Sequence, residues 1–496
     1  MSWLLGSSMR RLFPGLVFLL FMLFLIMPHW QPVSALEIQG CQDIRSSGVY
    51  VLTGNIYGLQ SGKDYCIGIF ANEVILDGNG FSIEGLGIGQ RAQGVRVMNA
   101  YNVTIRNLKI SKYNYGIYLV DVAESKIVNN VISLNDNGIY LRGSHHNEIT
   151  SNNITSNDVG IYLDSSSYNE ISGNTISLNT VFGIRLGDSY INTIIGNTIS
   201  LNNGDGIHLR DSGNNTIIGN TIESNDVDGI HLDSSHYNEI SSNTVSSNGE
   251  DGIELAGSSN NKGVGNTILL NQYGISIGSS SFNEISGNTI SSNSVYGIRL
   301  SNSYKITIVN NTISLNTFDG IYLYSSHYNE ISGNTISSNG DDGIELVASN
   351  KTIIVNNTIS LNTFSGIYVR SSSGYNMIFN NILNNSINVV LEDAGRNYWN
   401  TTRVAERNIV GGNYLGGNYW GNPYGTGFSD TCKDGDSDGV CDSPFQIDEN
   451  NADWLPLANP PMPTTGPGLE MILAMITVLG IIGVVATASL TRRKKT

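Results

Sequence analysis

Short apolar segments alternate with polar turns along more than half of the chain, at a nearly constant spacing. Each repeat contains three β-like pieces, as in Gly160-Ile-Tyr-Leu163, Asn169-Glu-Ile-Ser172 and Asn174-Thr-Ile-Ser177. A glycine followed by an apolar residue marks each repeat, every 22 or 23 positions, at Gly116, Gly138, Gly160, Gly183, Gly206, Gly229, Gly252, Gly274, Gly297, Gly320, Gly343 and Gly366. Three strands in so short a unit predict one coil of an all-β, right-handed parallel β-helix, a solenoid in which each coil packs on its neighbours.

The alternation within a repeat predicts which side chains form the core. In the repeat at Gly160, Ile161 and Leu163 share one face of the strand and Tyr162 lies on the other. We therefore expect aliphatic residues to fill the interior, and the residue two positions after each repeat glycine to point outward.

Asparagine recurs in two further rows, which we interpret as structural. Asparagine adopts the left-handed backbone that tight turns need, and stacked side-chain amides can hydrogen-bond from one coil to the next. The first row is Asn130, Asn152, Asn174, Asn197, Asn220, Asn243, Asn266, Asn288, Asn311, Asn334, Asn357 and Asn380. The second is Asn135, Asn157, Asn179, Asn202, Asn225, Asn248, Asn271, Asn293, Asn316, Asn339 and Asn362.

The two ends of the chain predict a surface location. A basic start, an apolar run at 12–27 and small residues before position 36 are typical of a cleaved signal peptide, with a retained anchor as the alternative. Residues 469–490 are long and apolar enough to span a bilayer, and the basic tail after them indicates a cytoplasmic C terminus. We expect a single-pass cell-membrane protein with an extracellular ectodomain.

These features divide the chain into seven segments. They are a signal peptide (1–35), an N-terminal cap with the first coils (36–115), regular repeats (116–395), a C-terminal capping module (396–457), a Pro-rich linker (458–468), a transmembrane helix (469–490) and a basic tail (491–496).

Cysteine usage agrees with an extracellular location. The four cysteines form two local pairs, Cys41 with Cys66 and Cys432 with Cys441, one near each end of the repeats. An even number of cysteines outside the cytosol predicts disulfides. Metal binding by these cysteines is the alternative, but their spacing and the lack of a nearby histidine disfavour it.

Charge argues against one class of partner. The 496 residues carry a formal net charge of −16, and only 14% of them are charged. Because the repeats contain no cluster of lysine and arginine, we do not expect a nucleic-acid partner.

Three stretches together indicate a family. Val74-Ile-Leu-Asp-Gly-Asn-Gly80 comes before the repeats, while Gly417-Asn-Tyr-Trp-Gly421 and the stretch from Asp434 to Leu457 follow them. With the repeats, residues 36–457 resemble the NosD-type β-helix proteins, whose repeat is also called the carbohydrate-binding and sugar-hydrolysis domain and is common in archaeal surface proteins. The resemblance implies a β-helix scaffold. Because the protein after which the family is named assists copper delivery, the resemblance also implies copper binding.

The composition does not support copper. Cu(I) prefers Met and Cys, and Cu(II) prefers His. Between the signal peptide and the Pro-rich linker the only methionines are Met98 and Met377, the cysteines form pairs, and the histidines are scattered along the sequence.

An aspartate-rich loop predicts calcium instead. The segment Asp434-Gly-Asp-Ser-Asp-Gly-Val-Cys-Asp442 places carboxylates at alternate positions, as in the first half of a calcium loop. The predicted ligands are the side chains of Asp434, Asp436 and Asp438, the carbonyl of Val440, and Asp442 directly or through water. The alternative is a solvated acidic turn tied by the second disulfide.

The outward positions of the repeats predict a ligand-binding band. Aromatic rings with nearby arginine and carboxylates suit the faces and hydroxyls of sugars. Its proposed members are Tyr118, Tyr140, Tyr162, Arg185, His208, His231, Arg299, Tyr322 and Tyr368. The alternative is that strands favour tyrosine and that any surface is polar.

Catalysis is the less favoured interpretation. Glycosidases use paired carboxylates, and the only region that approximates such a pair is Asp205, His208, Asp228, His231 and Asp251. The aspartates occupy the same repeat position, as do Asp319 and Asp342, so a turn preference also explains them. The sequence thus favours a surface protein that binds a glycan or surface polymer without turnover, with a polysaccharide hydrolase or lyase and a structural stalk or adhesin as alternatives.

Overall fold

A computed structural model describes residues 35–87 and 91–458 of the chain. Within them the fold is a parallel β-helix, which confirms the all-β solenoid predicted from the repeats. The predicted signal peptide, transmembrane helix and basic tail lie outside the described residues. Among those that are described, no helix is long and apolar enough to cross a membrane.

The chain divides into two compact units, the first ending at Asn271. In the first unit each coil contributes one strand to each of three parallel sheets, A, B and C. Sheet A contains Leu36–Ile38, Gly48–Leu52, Val74–Asp77, Thr104–Arg106, Lys126–Val128, Glu148–Thr150, Glu170–Ser172, Thr193–Ile195, Thr216–Ile218, Glu239–Ser241 and Lys262–Val264. Sheet B contains Asp43–Ile44, Tyr65–Ile69, Gln93–Met98, Tyr115–Val120, Asn137–Arg142, Val159–Asp164, Phe182–Gly187, Ile207–Arg210, Ile230–Asp233 and Asp251–Ala256. Sheet C contains Ile56–Tyr57, Ser82–Glu84, Lys109–Ser111, Val131–Ser133, Asn153–Thr155, Thr175–Ser177, Thr198–Ser200, Thr221–Glu223, Thr244–Ser246 and Thr267–Leu269.

The second unit begins at Gln272 and repeats the same three sheets. Its sheet A strands are Glu284–Ser286, Thr307–Val309, Glu330–Ser332, Ile353–Val355 and Met377–Phe379. Its sheet B strands are Tyr273–Gly278, Ile298–Ser301, Ile321–Tyr324, Ile344–Val347, Ile367–Arg370 and Val389–Glu392. Its sheet C strands are Thr289–Ser291, Thr312–Ser314, Thr335–Ser337, Thr358–Ser360, Ile382–Asn384 and Tyr419–Gly421. A short helix at Phe428–Thr431 and an antiparallel pair, Phe445–Gln446 with Ala452–Asp453, follow the coils.

The core matches the predicted alternation. Ile161 and Leu163 are fully buried, and Tyr162 between them is half-buried on the outer side of sheet B. Register places Ile161 beside Ile139 in the preceding coil and Ile184 in the next, so identical positions stack. The interior is therefore a set of aliphatic columns parallel to the axis of the coils.

The repeat glycines are required by close packing. A Cβ atom on Gly183 would lie 2.5 Å from the carbonyl oxygen of Gly206 and 2.8 Å from Cγ2 of Ile199. Because one of those atoms belongs to the backbone of the next coil, it cannot move aside as a flexible side chain would. A larger residue here would force neighbouring coils apart.

Asparagine ladders connect the coils, as predicted. Asn174 Nδ2 donates to Asn197 Oδ1 at 3.0 Å, and the backbone amide of Asn174 donates to the same oxygen at 2.9 Å. The predicted first row was wrong at its last member, because Asn357 donates to Asn381 rather than to Asn380. The spacing lengthens to 24 residues in this coil, which shifts the register by one position.

A third asparagine ladder, which was not predicted from the sequence, lies at the opposite end of the sheet A strands. Asn169 Nδ2 donates to Asn192 Oδ1 at 3.1 Å, and the same contact recurs from coil to coil. Its members in the first unit include Asn147, Asn169, Asn192, Asn215 and Asn238. The three ladders provide hydrogen-bond partners for the buried backbone amides at the turns, so these asparagines are structural.

Both predicted disulfides are present. Cys41 pairs with Cys66 in the first coils, and Cys432 pairs with Cys441 after the last ones. At the C-terminal end of the second unit, Trp399 and Trp420 are buried, and Trp420 Nε1 donates to Asp453 Oδ2 at 2.8 Å. The segment after residue 395 therefore adds a strand to sheet C and covers the last coil.

Candidate functional site

The outer face of sheet B brings two positions of each repeat together. The repeat glycine and the next residue both face the core, as Gly116 and Ile117 do, so the strand bends there instead of alternating. The residue before the glycine and the residue two after it then lie side by side, as the rings of Tyr115 and Tyr118 show at 4.9 Å. We call these two rows the outer columns of sheet B.

In the first unit the outer columns begin as a stack of rings. The rings of Tyr118 and Tyr140 are 5.3 Å apart and nearly parallel, and Tyr162 follows Tyr140 at 4.9 Å. Arg185 then places its guanidinium 4.8 Å from the ring of Tyr162. These four residues of the predicted band are half-buried and contiguous. Burial and a hydrogen bond to Asp164 raise the pKa of Tyr140, so its hydroxyl stays protonated.

Further along the same columns, two imidazoles meet a row of carboxylates. His208 Nδ1 lies 2.8 Å from Asp205 Oδ2. His231 Nδ1 lies 3.5 Å from that same oxygen and 3.3 Å from Asp228 Oδ2, while its Nε2 lies 3.3 Å from Glu254 Oε2. The structure thus joins Asp205, His208, Asp228 and His231, all weak catalytic candidates, into one contact network, which we call the His–Asp cluster together with the adjoining Asp251.

The backbone holds the aspartates of this cluster in place. The amide of Asp228 donates to Asp205 Oδ1 at 3.2 Å, and the amide of Asp251 donates to Asp228 Oδ1 at 2.8 Å. Each of these two carboxylates therefore keeps Oδ2 for the imidazoles. Asp205, Asp228 and Asp251 are all buried.

Electrostatics separate these buried groups. Burial opposes a charge on Asp205, but hydrogen bonds from His208 and His231 outweigh it and lower the pKa of Asp205 to about 2. Burial and the neighbouring Asp251 and Asp205 raise the pKa of Asp228 instead. Burial disfavours the charged form of His231, but the contacts with Asp205 and Glu254 prevail and raise its pKa. The cluster therefore holds more carboxyl groups than its imidazoles can neutralise.

The second unit contains a cavity of about 460 Å³ on the same face. Aromatic rings form its walls, namely Tyr296, Phe318, Phe364 and Tyr368. Polar groups form the rest, namely Asp319, Asp341, Asp342, Glu345 and Arg370. Phe318 and Phe364 are exposed at the rim, whereas Asp319, Asp342 and Glu345 are buried. We call this site the acidic cavity.

Hydrogen bonds fix the carboxyl groups of the acidic cavity. Asp319 Oδ1 accepts the backbone amide of Asp342 at 3.0 Å, and Asp342 Oδ1 accepts the hydroxyl of Ser365 at 2.5 Å. Arg370 Nε lies 2.5 Å from Glu345 Oε1. Burial raises the pKa of Asp342 to about 7 and also raises that of Asp319. The cavity therefore combines protonated carboxyl groups with an ion pair.

The sequence identified only part of this second site. Tyr368 lies in its wall, and Tyr322 stacks on Tyr296 at 4.6 Å, but Arg299 instead places its guanidinium over the ring of Tyr273. The predicted band included only the position two after each glycine. The missed signal was aromatic and acidic residues just before the glycine in consecutive repeats, such as Phe318-Asp-Gly320.

The aspartate-rich loop brings together part of the predicted calcium set. Carboxylate oxygens of Asp434, Asp436 and Asp442 lie within 4.8 Å of one another. Asp438 instead pairs with Arg403, and its Oδ1 accepts the amide of Val440 at 2.8 Å. Calcium binding by this loop stays a prediction.

The raised pKa of Asp342 predicts a pH-dependent stability. The folded pKa of about 7 is higher than the usual 3.8, so the native state holds this proton more tightly than the unfolded chain does. Raising the pH therefore favours the unfolded chain. The stability contributed by this group is full below pH 4 and falls as the pH rises towards 7.

We expect Asp342→Asn to melt like the parent at pH 4 but to be more stable at pH 8, by about 2 kcal/mol after a reduction for partial solvent screening. Thermal melts at both values check this. Asp393→Asn, at an exposed carboxyl of the same unit, should show no such difference, and equal slopes for parent and Asp342→Asn would contradict the prediction.

Comparison with known protein families gives a clear match. The family described as "Periplasmic copper-binding protein (NosD)" matches residues 36–250, 179–294 and 226–425. The chain belongs to the NosD family. No curated protein sequence matches it.

Several solved β-helix structures are similar to this NosD-family chain at low identity. The Dettilon tailspike protein is 18% identical, with 56% of this chain and 61% of the tailspike covered and a TM-score of 0.41. The periplasmic alginate epimerase AlgG is 17% identical over 62% of this chain and 81% of its own, with a TM-score of 0.35. The pre-mature bacteriophage phi29 gene product 12 is 12% identical over 74% and 68%, with a TM-score of 0.48. This chain thus spans less than two thirds of the tailspike, and we draw no activity from these likenesses.

The family description raises the question of which residues fit copper. A Cu(I) site of soft ligands does not fit the part of the chain that the structure describes, because all four cysteines are in disulfides and Met98 accepts a hydrogen bond from Arg96. A Cu(II) site fits better, because the fold places His208 and His231, which are 23 residues apart in sequence, with ring centroids 4.9 Å apart.

Proposed function

We propose that the outer face of sheet B binds a carbohydrate polymer, with the acidic cavity as its principal sugar site. The observation that supports this proposal is a cavity of about 460 Å³ walled by four aromatic rings and lined by carboxyl groups and one guanidinium. Ligand sites combine apolar walls with a few fixed polar groups, and aromatic faces suit the C–H faces of sugar rings. Carboxylates and guanidinium suit their hydroxyls.

The charge of the acidic cavity favours a neutral sugar. Asp319, Asp341, Asp342 and Glu345 face one cation, Arg370, which already pairs with Glu345. A polymer of uronic acids would place further negative charge beside these groups, at a cost in free energy. A neutral polymer meets no such repulsion and can accept hydrogen bonds from the protonated carboxyl groups.

In the first unit the ring stack from Tyr118 to Arg185 offers a second surface, which presents ring edges and hydroxyl groups because the stacked ring faces cover one another. Its rings are spaced at the coil repeat, so an extended chain can contact several of them in succession. The proposal places both surfaces outside the cell, in keeping with the predicted signal peptide and membrane anchor, where envelope polymers are found.

Removal of two cavity rings tests the proposal. We expect Phe364→Ala with Tyr368→Ala to weaken binding of a neutral polysaccharide at least tenfold, because two stacking surfaces are lost. Affinity electrophoresis against a panel of neutral and uronate polymers measures this, with thermal melts to show that folding is kept. Tyr375→Ala is the matched control, since Tyr375 is exposed in the same unit but does not line the cavity. Unchanged binding in the double variant would contradict the proposal, and a structural stalk would bind none of the polymers.

Hydrolysis at the same cavity is the second candidate, and one observation favours it. Asp342 and Asp319 have raised pKa values, so a proton donor is present at neutral pH, while Glu345 is paired with Arg370. Glycosidases combine such a donor with a charged carboxylate. If the cavity cleaves the polymer, its chains will shorten with time, and Asp342→Asn will stop this while binding is kept. Binding without shortening would leave only the first candidate.

A further inference from the structure

We propose that Asp205, His208 and His231 form a binding site for one divalent transition-metal ion, Cu²⁺ or Zn²⁺. The site belongs to the first unit and does not depend on the proposed sugar binding. It is also separate from the aspartate-rich loop near the C terminus, whose predicted ligands are all oxygens.

The donor atoms already have the spacing of metal ligands. His208 Nδ1 and His231 Nδ1 lie 2.8 and 3.5 Å from the same oxygen, Asp205 Oδ2. Metal–nitrogen and metal–oxygen bonds of about 2.0–2.2 Å place neighbouring ligand atoms about 2.9–3.5 Å apart in tetrahedral or square-planar sites. The three donor atoms lie within 4.8 Å of one another, so an ion needs only small side-chain adjustments to enter.

Neighbouring groups complete the site. Asp228 Oδ2, at 3.3 Å from His231 Nδ1, places a second carboxylate beside the three donors. Glu254 Oε2 lies 3.3 Å from His231 Nε2, on the opposite side of that ring. A carboxylate behind a ligating histidine fixes its tautomer and orientation in many metal sites. Phe182 stacks on His208 at 4.7 Å and holds the other ring.

The fold fixes these donors before an ion arrives. Oδ1 of Asp205 and of Asp228 each accepts a backbone amide of the next coil, which leaves Oδ2 directed at the histidines. The carboxylate of Asp205 is 5% exposed, whereas the side chains of His231 and Glu254 are 22% and 33% exposed. An ion can therefore approach from the side of Glu254 and bind against a rigid, nearly dry carboxylate.

The sequence of the cluster sets it apart from the scaffold. The motif Asp-Gly-Ile-His occurs at 205–208 and again one coil later at 228–231. In the second unit the corresponding motif is Asp319-Gly-Ile-Tyr322, which has no nitrogen donor in its side chains. Coil geometry alone requires the glycine and the isoleucine, so it does not account for paired histidines. The hard cations that an all-oxygen site prefers would gain little from them.

Metal titration of the full chain tests the proposal directly. We expect isothermal calorimetry to show one site for Cu²⁺ and one for Zn²⁺, in competition with each other and resistant to excess Mg²⁺. Electron paramagnetic resonance of the Cu²⁺ form should show coupling to two nitrogen ligands, which oxygen sites elsewhere in the chain cannot produce. A Cu²⁺ spectrum with oxygen ligands alone would overturn the proposal even if calorimetry detected binding.

Substitutions test which side chains bind the metal ion. His208→Phe keeps the stack on Phe182 and removes a donor, and His231→Gln removes the second, so each should lose one nitrogen coupling and at least a hundredfold in affinity. Glu254→Gln should weaken binding about tenfold while both couplings remain. His146→Ala is the control, because His146 is an exposed histidine of the same unit outside the cluster, and it should change nothing. Full affinity and two nitrogen couplings in folded His208→Phe would overturn the assignment.

Discussion

Replacing Ile207 with aspartate will unfold the coils around it. Ile207 is fully buried, and its neighbours in the register are Ile184 and Ile230 in the adjacent coils. A carboxylate there would be desolvated between aliphatic side chains with no cation to pair with, at a cost of at least about 4 kcal/mol. Because each coil is stabilised mainly by its neighbours, the damage should spread through the first unit. Circular dichroism melts and limited proteolysis measure the loss.

Arg210→Asp is the control for this variant. Arg210 ends the same strand and has a side chain that is 58% exposed, so an aspartate introduced there stays in water, and the surface ion pairs with Asp211 and Asp233 that it removes are worth little. It should melt close to the parent protein. Similar losses for both variants would mean that the inward and outward faces of sheet B are wrongly assigned.

Asn202→Ala will destabilise the first unit nearly as much, although it removes no charge and little apolar surface. Asn202 Oδ1 accepts the backbone amide of Asn179 at 3.0 Å and its side-chain amide at 2.8 Å, and Asn202 Nδ2 donates to Asn225 Oδ1 at 2.8 Å. Alanine would remove these partners from buried polar groups, each of which costs about 1–3 kcal/mol when unsatisfied. We expect a total loss of about 3–5 kcal/mol in the free energy of unfolding, measured by urea titration.

The adjacent Asn203 provides a matched control. Asn203 is exposed, whereas Asn202 is fully buried. Asn203→Ala should change the free energy of unfolding by less than about 0.5 kcal/mol, as surface substitutions do. If the two alanine variants have the same free energy of unfolding, the hydrogen bonds of the ladder do not stabilise the fold.

The sequence was enough to predict the fold for a physical reason. In a solenoid each coil contacts the coils on either side, so contacts between coils recur at the repeat spacing. The spacing of Gly160 and Gly183 therefore gives the register of their strands, and alternation within each strand separates Ile161 from Tyr162. The two disulfides followed from a different signal, namely an even number of cysteines that form two local pairs.

The sites were only partly predictable, because they depend on the bend at the repeat glycine and on distances between coils. That bend brings Asp205 and Asp228 beside the histidines and buries them, which a count of residues cannot show. It also brings Phe318 and Asp319 of one coil into a cavity with Phe364 of a coil two repeats later.

The protonation of Asp342 and the register of the asparagine ladder near the last coil could also be learned only from the tertiary structure. The pKa of Asp342 rises because its carboxyl group is buried beside Asp341, although other repeats carry aspartate at the same position. The longer coil before Asn381 shifts the ladder by one residue. The sequence by itself thus determined the scaffold, since repetition encodes contacts between coils, and the tertiary structure decided the sites, since these depend on burial and on side chains from several coils.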